Sequence, residues 1–241
     1  MKQKIFLLLL SGVSVLAIVA FTGGPANEKE LTGAWLLKQG QEEQVLLFAD
    51  GYFTHTTYDK TARRFVQTRG GSYTVNRNKL SILYEFDTRQ AENIGQTSVY
   101  AFSQRAGKLK AGINGRLENW QQIDQGNAGL HGLWKITARK GEGGLVPIHQ
   151  TGTRKTIKIL TGTRFQWAAI DPGTKQFMGT GGGTYSFANG KYTEHIEFFS
   201  RDSSRTGSSL SFDGKLENGD WHHSGLSSKG DLIYEVWSRN K

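Results

Sequence analysis

The sequence repeats itself once, and the repeat is too long for anything but a duplicated domain. Leu31-Thr32-Gly33-Ala34-Trp35 returns as Leu130-His131-Gly132-Leu133-Trp134, an offset of 99 residues. Gly70-Gly71-Ser72-Tyr73-Thr74 returns as Gly182-Gly183-Thr184-Tyr185-Ser186, an offset of 112. Gly115-Arg116-Leu117-Glu118-Asn119 returns as Gly214-Lys215-Leu216-Glu217-Asn218, again at 99. Solenoid units run about 20 to 50 residues, whereas about one hundred residues is an ordinary domain size. Residues shared by both copies are expected to serve the scaffold, and those present in one copy mark where a site lies.

Both copies read as strands and turns. Apolar residues come in short runs divided by turn signals, the pattern of a barrel or sandwich. Val45 to Phe48, then Asp50-Gly51, then Tyr52 to Thr54 is a hairpin, and Asn189-Gly190 between Thr184–Phe187 and Tyr192–Phe199 is the strongest two-residue hairpin signal. Helical periodicity is weak, its best candidate being the polar stretch from Thr88 to Gly95. Alternation puts Leu80, Ile82, Tyr84 and Phe86 on one face. In the second copy it puts Tyr192, Glu194, Ile196 and Phe198 on one face, opposite Thr193, His195, Glu197 and Phe199. Mixed polarity on both faces suits a barrel whose interior is a cavity.

Residues 1–26 belong to neither copy. Lys2 and Lys4 precede an apolar run from Ile5 to Phe21 and a small-residue segment, the marks of a secretory signal peptide, with an uncleaved anchor as the alternative. The chain has no cysteine, so it is neither a lipoprotein nor held by disulfides, and each domain rests on its core. The net charge of +9 is spread over short clusters such as Arg63-Arg64 and Arg154-Lys155, without the long basic tract of a nucleic-acid binder. The expected organisation is a signal peptide over 1–26, a barrel over 30–124, a linker over 125–129 and a second barrel over 130–241, with no integral membrane domain once the signal is cleaved.

Each copy opens on Gly-x-Trp, as Gly33-Ala34-Trp35 and Gly132-Leu133-Trp134, each with a leucine two residues before the glycine. This resembles the opening motif of lipocalins and the wider calycin group, and the second copy looks like lipocalin-like exported bacterial domains of unknown function. The resemblance implies an all-β chain of two tandem antiparallel up-and-down barrels, each closed at one end by its tryptophan, Trp35 or Trp134. It also implies an arginine from the last strand lying across that ring, for which the second copy offers Arg239. The first copy has no matching arginine, and neither copy has the family's Thr-Asp-Tyr motif. The family function would be binding of a small apolar molecule in the barrel mouth.

The candidates for a site concentrate in the second copy. Trp167 stands where the first copy has His55, and Glu194 where it has Ile82. Glu197 matches Glu85, and a carboxylate kept in both copies is expected to be a scaffold partner for a buried cation. Tyr185 and Phe198 match Tyr73 and Phe86 and are expected in the core, whereas Trp167 and Trp221 are expected in a pocket, although Trp120 lies near Trp221 in the comparison. His222 and His223 are adjacent, so on a strand they point to opposite faces and cannot share a metal ion. Gly179-Thr180-Gly181-Gly182-Gly183 lacks the Gly-Lys-Ser/Thr and following helix of a phosphate loop and reads as a flexible turn or lid.

These residues predict non-enzymatic binding of a small hydrophobic or amphipathic molecule, mainly in the second barrel, by an exported periplasmic, secreted or envelope protein. Trp167, Trp221, Glu194, His195 and His223 are the expected ligand contacts, with no cofactor, metal or nucleic acid. The alternative is an envelope or extracellular interaction scaffold that binds protein or glycan. An enzyme using a Glu/His acid–base pair ranks behind both, because Gly-x-Ser-x-Gly and cysteine nucleophiles are absent.

Overall fold

The computed structural model describes residues 28–148, 152–227 and 229–239. Residues 33–124 form a closed antiparallel barrel of eight strands, β1 (Gly33–Gln39), β2 (Glu42–Ala49), β3 (Tyr52–Asp59), β4 (Arg64–Asn76), β5 (Lys79–Asp87), β6 (Thr97–Arg105), β7 (Lys108–Ala111) and β8 (Glu118–Asp124). Each strand pairs with the next, and β8 closes onto β1. The second barrel is built from β9 (Gly132–Gly141), an added strand β10 (Gly144–Pro147), then β11 (Lys155–Leu160), β12 (Arg164–Asp171), β13 (Gln176–Ala188), β14 (Lys191–Phe199), β15 (Ser209–Glu217), β16 (Asp220–Leu226) and β17 (Leu232–Arg239). β17 closes onto β9, and β10 pairs only with the far half of β9. The protein is thus all-β, two tandem up-and-down barrels. The polar stretch near Thr88 supplies one 3-10 turn, Ala91–Asn93. The N-terminal apolar run lies outside the described residues, and among those described no helix is long and apolar enough to cross a membrane.

The Leu-x-Gly-x-Trp opening has a local physical cause. The Trp35 indole donates to the Leu31 carbonyl at 2.8 Å, and Trp134 donates to Leu130 at 2.9 Å, so the leucine satisfies a fully buried N–H. Gly33 (φ 111°) and Gly132 (φ 142°) lie in a region that favours glycine. A Cβ would collide with the Asp124 carbonyl at the first and with Arg239 at the second. Arg239 lies over the Trp134 ring, 4.3 Å from its centroid, and covers that end of the second barrel.

The two copies match strand for strand, β2–β7 with β11–β16, at a constant offset of 112. Leu83 pairs Thr97 as His195 pairs Ser209, and the two 3-10 turns keep the same spacing. The β9–β10 hairpin accounts for the change from 99 to 112, and the longer strands of the β16–β17 hairpin move Trp120 into correspondence with Trp237. The third sequence repeat is therefore not a structural one. Gly115 lies in the β7–β8 connection, whereas Gly214 lies inside β15. Glycine and asparagine recur wherever a hairpin turns, so a match rich in them is weak evidence of register. The residue matching Trp221 is Leu109, since Leu109 pairs Trp120 as Trp221 pairs Trp237.

Two further expectations are corrected by the sheet. The glycine run is neither turn nor lid but the middle of β13, buried from Gly179 to Gly183. A Cβ at Gly181 would strike Trp167 and Phe199, and one at Gly182 would strike Phe198. The register also shifts between Ile196 and Phe198, where Glu197 is extra. Such a bulge reverses side-chain parity beyond it. Tyr192, Glu194, Ile196 and then Phe199 point inward, while Phe198 points out of the barrel.

Phe198 points out because a second surface lies there. The outer faces of β2–β5 and β11–β14 pack together through Val45, Leu47, Tyr58 and Phe86 from one barrel and Ile157, Ile159, Ile170 and Phe198 from the other. Phe65 meets Phe198 and Phe86 meets Phe177, both at 6.3 Å. Since Phe65 corresponds to Phe177 and Phe86 to Phe198, this is one contact made twice, as in a two-fold interface between identical chains. The shared carboxylates follow the same rule. Glu85 pairs Lys155 across the interface at 2.6 Å, and Glu197 pairs Lys60 across it at 2.8 Å and Arg164 beside it. Burial would raise the Glu197 pKa, but Arg164 and Lys60 outweigh it and hold the carboxyl below its usual range. Both carboxylates are scaffold partners, as their presence in both copies implies. Buried Gln166 completes the contact, accepting from Thr56 at 2.9 Å and donating to Thr68 at 2.9 Å.

Candidate functional site

Each barrel has a cavity at one end, and the two are lined differently. The second encloses a cavity of about 360 Å³. Its walls are apolar, with Trp167 and Phe199 in edge contact at 5.4 Å and Ile196, Leu210 and Ile233 around them. Its floor is charged. The Lys158 ammonium is almost fully buried and donates to Glu194 at 2.8 Å. It also sits 5.0 to 5.2 Å from the ring centres of Tyr192, Trp221 and Trp237. Tyr192 donates to the same Glu194 oxygen at 2.9 Å. The first barrel has Leu46, Ile82, Leu80 and Leu109 at the positions of Lys158, Glu194, Tyr192 and Trp221. A hydrophobic layer in one copy has become a cation held by a carboxylate and aromatic faces in the other.

His223 stands beside this floor, stacked on Phe212 with ring centres 4.7 Å apart. Its Nε2 lies 3.2 Å from Glu235, yet neither ring nitrogen has a hydrogen-bond partner among the described residues. The contact is close but not aligned, and a contact without alignment does not satisfy a buried donor. Glu235 instead accepts from the Trp237 indole at 3.1 Å and pairs with Arg139 at 3.3 Å on the rim. Arg201 and Arg205 complete the basic rim.

Of the expected contacts, Trp167, Glu194 and His223 line the cavity. His195 does not. It is exposed on the outer face and bonds Ser209 at 2.8 Å, as its odd position in β14 requires. Trp221 does not reach the cavity either. It is wholly buried beneath Lys158, edge-on to Trp134 at 5.9 Å. His222 points away from His223 and bonds Tyr234 at 3.0 Å. Lys158 was missed by the sequence reading, although a lysine inside Ile157-Lys158-Ile159-Leu160, where the first copy has Leu46, is a visible signal.

The first barrel opens into a wider polar cup of about 890 Å³. His55 is its buried anchor. Its Nδ1 accepts from Arg69 at 3.2 Å and its Nε2 donates to Gln44 at 2.9 Å. Gln44, Gln39, Asn114 and Glu118 bond one another around it.

Burial, and secondarily Lys158, push the His223 pKa well below the usual imidazole value; burial and then Arg69 do the same to His55. Both stay neutral in the fold, whereas the unfolded chain takes up protons below about pH 6.5. Stability is therefore expected to be full above about pH 6.5 and to fall below it, by up to ~1.4 kcal/mol per pH unit for each histidine. His223→Phe should flatten the fall in Tm between about pH 6.5 and 5. An unchanged slope would remove His223 from this account.

No protein-family model matches the chain, and no curated protein matches it in sequence.

Proposed function

We propose that this is an exported lipocalin-like binding protein whose second barrel holds a small amphipathic molecule. The supporting observation is a cavity in which an aromatic and aliphatic wall faces a charged floor and a basic rim, a surface that suits a molecule with an apolar body and a polar end. Trp167, Phe199, Leu210 and Ile233 would cover the apolar body of the ligand. Glu194 and His223, at the floor, would meet a polar end, His223 having unused hydrogen-bonding capacity. Export is supported by the basic and apolar N-terminal sequence.

Titration with the fluorescent amphiphile anilinonaphthalene sulfonate tests the reading. Leu210→Trp adds bulk to the cavity wall and is expected to weaken binding about tenfold or more, equivalent to ~1.4 kcal/mol. The same substitution at exposed Leu216 should leave binding unchanged. Equal binding by both variants, or none by the parent, would sink the proposal.

A further inference from the structure

The second copy is longer than the first in two places, and both lie at the mouth of its cavity. One is the β9–β10 hairpin, the other the β16–β17 hairpin. β17 pairs with both β16 and β9, and β10 pairs with β9, so the hairpins are neighbours on one rim. The tips of both stand clear of the core. Leu145 and Val146 are 54% and 53% exposed, Leu226 59% and Leu232 84%. These are half of the eight large apolar side chains exposed among the described residues. Large side chains gathered on one rim, in segments the sister barrel lacks, call for a partner.

The charge around them states the kind of partner. The end of β9, the segment leading into β11, the β12–β13 turn and the loop after β14 all reach the same end of the barrel. They carry Lys140, Arg154, Lys175 and Arg201, and Lys229 joins them from the β16–β17 turn; all five are exposed and none belongs to an ion pair among the described residues. The acids there outside ion pairs are Glu142, Asp171 and Asp231. Apolar tips set among excess cations match the acyl boundary and headgroups of an anionic bilayer.

We propose that the mouth of the second barrel docks on an anionic lipid surface and that the ligand passes between that surface and the cavity. The second half of this statement rests on the binding reading above. Docking brings Leu145, Val146, Leu226 and Leu232 into the interface and points the cavity at the membrane. The ligand then need not cross water.

The absence of cysteine supplies the test. Single variants Leu145→Cys, Leu232→Cys, Val99→Cys and Leu216→Cys are made in the full chain and labelled with an environment-sensitive fluorophore. With vesicles of phosphatidylglycerol and phosphatidylcholine, labels at 145 and 232 should brighten about threefold and shift to the blue, and those at 99 and 216 should not. The N-terminal apolar run is common to all four, so tethering through it favours none of them. No change at 145 and 232, or an equal change at all four sites, overturns docking. Leu226→Asp with Leu232→Asp should slow transfer of a dansyl-labelled fatty acid from vesicles about tenfold while leaving its affinity in solution unchanged. Binding in solution with silent labels defeats docking alone. Responsive labels without any binding defeat the cavity reading and keep the docking.

Discussion

Glu194→Ile alone is expected to destabilise the second barrel by about 3–5 kcal/mol, because it leaves the Lys158 ammonium buried without its carboxylate. The Tyr192 hydroxyl loses its acceptor in the same step. The paired change Lys158→Leu with Glu194→Ile restores the residues that the first barrel has at these positions, Leu46 and Ile82. That double variant is expected to recover most of the loss and to lie within about 2 kcal/mol of the parent. The residual cost is the unpaired Tyr192 hydroxyl. Urea unfolding of the three proteins measures the difference. If the double variant is as unstable as Glu194→Ile, the ion pair is not the cause and the account of the floor is wrong. If the pair serves recognition, the double variant should fold yet bind anilinonaphthalene sulfonate more weakly.

Phe198→Ala is the second large effect, expected to cost about 3–5 kcal/mol as a buried aromatic truncation. The loss falls between the barrels, since the ring touches Tyr58 at 5.0 Å and Phe65 at 6.3 Å. Calorimetry of the parent should show one cooperative transition, and that of the variant two, because each barrel keeps its own core. Phe212→Ala, inside the second barrel, should lower the stability of that barrel without splitting the transition. A single unshifted transition in Phe198→Ala would mean that the interface contributes little.

Much of the scaffold is legible in the residues. The duplication, the hairpins and the closing tryptophans are local signals, because a turn needs particular backbone angles and the Trp35 indole needs an acceptor four residues away. Comparison of the copies carried further still. It separated Glu197, shared and structural, from Glu194, which replaces Ile82 and lies in the cavity. His195 is the instructive miss. Chemistry suggested a site residue, but its parity in β14 places it outside, and alternation had already put it opposite Glu194.

The sequence by itself determined the duplication and the succession of strands and hairpins in each copy, because those depend on contacts between near neighbours along the chain. The tertiary structure decided the rest. The bulge at Glu197 sends Phe198 outward and Phe199 inward, and the mixed polarity it leaves in the alternation does not say where the extra residue lies. The two-fold contact between barrels is made by residues at least 70 positions apart. The cage around Lys158 draws on Tyr192, Trp221 and Trp237 from three strands. No local spacing encodes such a meeting; it exists only once the sheet has closed and brought those faces together.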